Sequence, residues 1–158
     1  TPFLSSSIFG AHEANASTAA DYTWDATDVG NFQVYLVRDE LESNRAKFII
    51  ENTDKSLFLT SSYYDEIYDN NYWTIAVSVR PDTYAVATTS SAPTYKLQFY
   101  GVTYNFDDIK HEFNLTASFN NATGLAHLSQ AKRLYAGSHH TNLVPPRPIS
   151  LQLYLLMI

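Results

Sequence analysis

Residues 63–73, YYDEIYDNNYW, carry the densest set of chemically able side chains in this sequence. Asp65, Glu66, Asp69, Asn70 and Asn71 could present hard oxygen ligands to a calcium ion, and Tyr63, Tyr64, Tyr68 and Tyr72 could stack on the face of a sugar ring. Their spacing does not follow the Asp-x-Asp-x-Asp-Gly order of an EF-hand loop. The competing account is a solvated connection whose tyrosines pack on the rim of the fold. Tyr64, Asp65, Asp69, Asn70 and Asn71 are therefore the candidate residues for binding glycan or calcium. The sequence calls for no cofactor, calcium being the one ion these residues leave open.

Catalytic patterns are harder to find. Glycoside hydrolysis needs two carboxylates roughly 5–9 Å apart across the scissile bond, commonly projected from alternate positions of one strand. No Glu-x-Asp-x-x-Glu series occurs, and the nearest groups, Asp39-Glu40-Glu42, Asp65-Glu66 and Asp107-Asp108, all fall in expected turns. There is no Gly-x-Ser-x-Gly elbow, and His12, His111, His127, His139 and His140 have no partner at a spacing that would mark a triad. Neither His-Glu-x-x-His nor His-x-His is present, and neighbours such as His139 and His140 point to opposite faces of a strand. They could share an ion only in a loop. The absence of cysteine excludes disulfides, thiolate zinc sites and cysteine nucleophiles. The expectation is a protein without catalytic residues. Three Asn-x-Ser/Thr acceptors, at Asn15, Asn114 and Asn121, are glycosylation candidates only in a secreted eukaryotic protein.

The elements that must position these residues read as strands. The chain has 158 residues, 45% hydrophobic and 15% aromatic, with only 16% charged, enough apolar material for one ordinary core. Apolar residues alternate with polar ones in NFQVYLVR (31–38), RAKFIIEN (45–52), KSLFLTS (55–61), WTIAVSVRP (73–81), TYKLQFYGVTYNF (94–106) and KHEFNLTASF (110–119). Asn52, Thr53 and Asp54 suit a tight hairpin turn, Pro81 ends a strand because it cannot donate to the ladder, and Gly101 suggests a bulge. Asn114 alternates away from Phe113 and Leu115 and should face outward. Only ATGLAHLSQA (122–131) has room for a helical turn. KRLYAGSHHTN (132–142) reads as a late strand that bends at Gly137, with both histidines in the loop beyond. The fold class that follows is all-β, an antiparallel two-sheet β-sandwich.

Charge limits the partners. The net charge is −6, and it is uneven: residues 1–79 hold 4 basic and 12 acidic side chains, a balance of −8, whereas residues 80–158 hold 6 and 4, a balance of +2. No basic stripe with interleaved aromatics appears, so nucleic acid is not an expected partner. The longest apolar run, ISLQLYLLMI (149–158), is far shorter than the ~20 residues a membrane-spanning helix needs. The chain begins at Thr1, as a processed product or a fragment would, and no signal-peptide pattern opens it.

Taken in order, SSIFGAH (6–12), FQVYLV, AKFIIEN, SLFLTSS, YWTIAVSVRP and the Arg133-Leu134-Tyr135-Ala136-Gly137 segment resemble the laminin-G-like branch of the concanavalin A-like jelly rolls. Members carry a similar Leu-Tyr-x-Gly-Gly strand late in the domain; here Ser138 stands where the second glycine is usual, and the cysteine pair of animal members is missing. The resemblance implies a jelly-roll sandwich over residues 1–144. It leaves 145–158 as a proline-rich spacer and a C-terminal apolar strand of the same domain, or an arm that adds to a neighbour's sheet. It also implies a non-enzymatic structural protein of a virion, capsid-associated or part of a tail or fibre, whose partners are other virion subunits, further copies of itself, or glycans. The alternative is an extracellular, secreted carbohydrate-binding or adhesion domain, with a lectin-like surface; a glycoside hydrolase on the same fold comes behind both.

Overall fold

The computed structural model describes residues 4–13, 31–41, 43–52, 55–68, 71–82, 94–120, 122 and 132–137. All eight of its elements are strands: β1 (Ser5–Glu13), β2 (Phe32–Arg38), β3 (Ala46–Asn52), β4 (Phe58–Thr60), β5 (Trp73–Pro81), β6 (Thr94–Asn105), β7 (Asp108–Asn120) and β8 (Lys132–Ala136). They form two antiparallel sheets, one in the order β4-β3-β2-β1-β8 and one in the order β5-β6-β7. The protein is an all-β two-sheet sandwich.

Period-two patterning accounts for the two layers. In β5, Trp73, Ile75 and Val77 are buried while Thr74, Ala76 and Ser78 are only half-buried. In β2, Val34 and Leu36 are buried between half-buried neighbours. The inward residues of both sheets join in one core, where Val34, Leu36, Phe48 and Ile50 meet Ile75, Leu97, Phe99 and Phe113. Phe48 is the bridge between layers, its ring centroid 4.8 Å from Trp73 and 5.3 Å from Phe113. Each such side chain contributes roughly 1.5–3 kcal/mol by leaving water.

Gly101 departs from expectation. The register runs unbroken through Ile75, Gly101 and Phe113, and the irregularity lies between Thr103 and Tyr104. A Cβ at position 101 would lie 2.3 Å from Phe113 Cε1 and 2.9 Å from Ile75 Cδ1. Glycine therefore serves packing at this position: the Phe113 ring and the Ile75 side chain of the neighbouring strands lie over bare backbone.

The β3–β4 turn is organised by Asn52, which is buried. Its Oδ1 accepts from the Leu57 amide at 2.8 Å, its Nδ2 donates to Ser56 Oγ at 2.8 Å, and its amide donates to the Leu57 carbonyl at 3.2 Å. At the other edge β8 lies against β1, pairing Phe9 with Ala136 and Ala11 with Leu134. Gly137 then turns with φ 72° while its amide donates to the Ile8 carbonyl at 2.7 Å. His139, His140 and the 149–158 segment lie outside the described residues, as does 122–131 apart from Ala122.

Candidate functional site

Antiparallel strand directions bring three connections to one end of the sandwich: 39–45 between β2 and β3, 61–72 between β4 and β5, and the 106–107 turn between β6 and β7. The middle connection starts as a continuation of the sheet edge. Beyond β4 the Ser61 side chain replaces a main-chain acceptor, taking the Phe48 amide at 2.9 Å, while the Ser61 amide donates to the Phe48 carbonyl. Pairing then resumes at Tyr64, which exchanges two backbone hydrogen bonds with Ala46.

That pairing places Tyr64 over the mouth of the core. Its ring lies 5.2 Å from Trp73 and 5.2 Å from His111, and stacks on Phe113 at 6.2 Å. His111 and Trp73 lie parallel at 6.3 Å. Burial pushes the Tyr64 phenol above its ordinary pKa of 10.0. Tyr64 is thus a plug between the sheets, and its ring faces are occupied by other rings.

The polar side chains of the loop are tied down as well. Asp65 lies 3.5 Å from Arg45, which also reaches Asp39 at 2.8 Å. Glu66 pairs with Lys110, and this hydrogen bond and charge hold its carboxyl below the ordinary range, with a smaller contribution from His111. The Asn71 amide nitrogen donates to the Glu66 carbonyl at 2.8 Å, closing a turn in which Glu66 has φ 60°. Tyr63 packs beneath two cations, Arg45 at 5.2 Å and Lys47 at 4.9 Å, and Arg38 lies 4.0 Å over Tyr68. Of the candidates for glycan or calcium, Tyr64, Asp65 and Asn71 share this end, and Asp69 and Asn70 lie outside the described residues. Among the described residues no three His, Asp or Glu side chains converge as a metal site requires. Asn114 is exposed on β7, with Asn15 and Asn121 outside the described residues.

Sequence reasoning singled out Tyr72 at this end but missed the other exposed apolar and aromatic side chains there. Eight large apolar or aromatic side chains are exposed among the described residues, and six of them, Leu4, Leu41, Tyr72, Tyr104, Phe106 and Ile109, belong to this end. Phe106, 96% exposed, stands at the tip of the two-residue β6–β7 turn with φ 55°, a value such turns reserve for glycine or asparagine. Tyr72 is set beside the hairpin because its carbonyl accepts from Thr103 Oγ1 at 2.7 Å. A turn at Asp107-Asp108 is readable in the sequence, but Phe106 was absorbed into the alternating strand pattern of 94–106, because phenylalanine is not a residue such a turn position ordinarily takes.

A second surface is the outer face of the three-stranded sheet. Cross-strand rows there bring Ala76, Tyr100 and Asn114 together, and Ser78, Gln98 and Thr116. Gln98 Nε2 donates to Asn114 Oδ1 and Tyr100 Oη donates to Glu112 Oε1, each at 2.9 Å. Desolvation first, and then the Glu112 carboxylate, raise the Tyr100 pKa. No helix among the described residues is long and apolar enough to cross a membrane. Comparison of the chain with protein-family models, characterised proteins and solved structures finds no match.

Proposed function

We propose that this chain is a non-enzymatic β-sandwich acting through surface contact, as a structural component of a virion that holds neighbouring subunits in a capsid-associated, tail or fibre position. The observation that carries the contact role is the gathering of six exposed apolar and aromatic side chains at the one end where three connections converge. Single exposed apolar residues are ordinary, but clusters of them mark interaction surfaces. A non-catalytic role is supported by the loop carboxylates, since Asp65 and Glu66 are each paired with a cation. The virion placement and the laminin-G-like branch rest on the sequence resemblance. The test is mass spectrometry of purified particles together with sedimentation of the isolated chain. Incorporation at fixed stoichiometry supports the reading; a chain missing from particles, monomeric and bound by no particle component, overturns it.

A second reading, a secreted carbohydrate-binding or adhesion domain, is favoured by the outer face of β5-β6-β7. Tyr100, Gln98, Asn114 and Glu112, from neighbouring cross-strand rows and joined in two hydrogen-bonded pairs, set one ring, two amides and a carboxylate on this face, groups suited to sugar hydroxyls. Saturable binding on a glycan array, weakened by Tyr100→Ala, would favour it over assembly. Loss of that binding on chelation would bring calcium in, and release of shortened glycan would point to a hydrolase.

A further inference from the structure

We infer that the β6–β7 hairpin tip is a docking knob for a protein surface that offers an apolar pocket rimmed by lysine or arginine side chains. The inference rests on the contact role proposed above and names the chemistry of the partner. Phe106 is 96% exposed, and Tyr104, Ile109 and Tyr72 stand exposed around it. Nothing in the fold requires an aromatic ring there. Its φ of 55° is uncommon and strained for a bulky residue, a strain that glycine would avoid. A strained backbone that displays a fully solvated phenylalanine has no return in stability, whereas an aromatic anchor entering a partner's pocket is the commonest kind of binding hot spot.

Charge selects the occupant. Asp107 and Asp108 are exposed beside Phe106, and neither takes part in the ion pairs of the described residues. Lys110, on the hairpin's own β7 strand, is already engaged by Glu66. The knob is therefore apolar at its tip and anionic at its collar. A two-fold contact between copies would set these carboxylates against each other. Entry into a bilayer would carry them toward the hydrocarbon, where an ionised carboxylate is strongly disfavoured. A basic rim around an apolar pocket meets both features.

The probe is a short labelled amphipathic peptide of leucine and lysine, read by fluorescence anisotropy, with leucine–glutamate and serine–lysine peptides as controls. The full chain should bind the leucine–lysine peptide saturably and the controls far more weakly. Phe106→Gly should weaken that binding roughly tenfold or more, the scale of a lost aromatic anchor, while its melting temperature stays the same or rises. Asp107→Asn with Asp108→Asn should flatten the salt dependence. A merely structural Phe106 would lower the melting temperature on substitution and leave peptide binding unchanged, which overturns the proposal. So does binding of all three peptides alike, Phe106-dependent binding to phosphatidylcholine vesicles, or self-association lost in Phe106→Gly. Failure of the peptide with incorporation into particles intact would remove the partner chemistry and leave the contact role standing.

Discussion

Single side chains in this sandwich do work that composition does not show. Asn52 is buried, with a side chain that accepts from the Leu57 amide and donates to Ser56. Asn52→Ala should lower stability by about 2–3 kcal/mol, because it leaves a buried amide without an acceptor, and urea denaturation would measure it. A turn at Asn52 is readable from residue type; its dependence on burial is not, since burial comes from strands elsewhere in the chain. Tyr35 makes the same point on the outer face of the larger sheet. Burial, then the charge of Glu51 and a hydrogen bond to it, push its phenol up to about 12. A raised value means the protonated phenol is the form the fold prefers. Its contribution is complete below the ordinary value of 10.0 and is lost as pH rises through about 12. NMR titration of labelled tyrosine should show Tyr35 ionising well after an ordinary phenol, and Glu51→Gln should bring it only part of the way down, because burial is the largest cause.

At the scale of elements, alternation identified the inward face of β2, β3, β5 and β7 because a period of two directly reports which side chains share a side. It could not show that Ser61 would interrupt the β4 edge, or that Tyr64 would resume it, since both depend on the Phe48 and Ala46 backbone. Nor could it show how the acidic loop would be used. Asp65, Glu66 and Asn71 looked available in sequence, but Arg45 and Lys110, which engage two of them, come from elsewhere in the chain, one from the β2–β3 connection and the other from β7. The Glu66–Lys110 pair has a testable pH signature. Glu66 sits below its ordinary value, so the pair's contribution is present above the normal carboxylate range and is lost as pH falls through the lowered value. Lys110→Met should return the Glu66 titration, followed by carboxyl-carbon NMR, to the ordinary range. Because the pair is solvent-exposed, the urea midpoint at neutral pH should scarcely move.

For the whole molecule, the sequence shows a sandwich but not the order of its strands. Periodicity sets which face is buried, whereas pairing β8 with β1 joins segments from opposite ends of the chain through complementarity that one sequence does not display. The two sheets differ in this respect. The smaller one is a meander of consecutive strands, β5-β6-β7, with a two-residue turn joining β6 to β7; the larger is completed only when β8 reaches β1. Closing the long loop between β1 and β8 has an entropic cost before any contact repays it, so local hairpins should form first. Val77 and Ala11 separate the two steps, both being buried, one in the meander and the other on β1 facing β8. Val77→Ala should slow folding, and Ala11→Gly should mainly speed unfolding, so that stopped-flow chevrons shift on opposite limbs. If Ala11→Gly instead slows folding and Val77→Ala leaves that limb in place, the β1–β8 seam is the nucleus and the meander docks onto it afterwards.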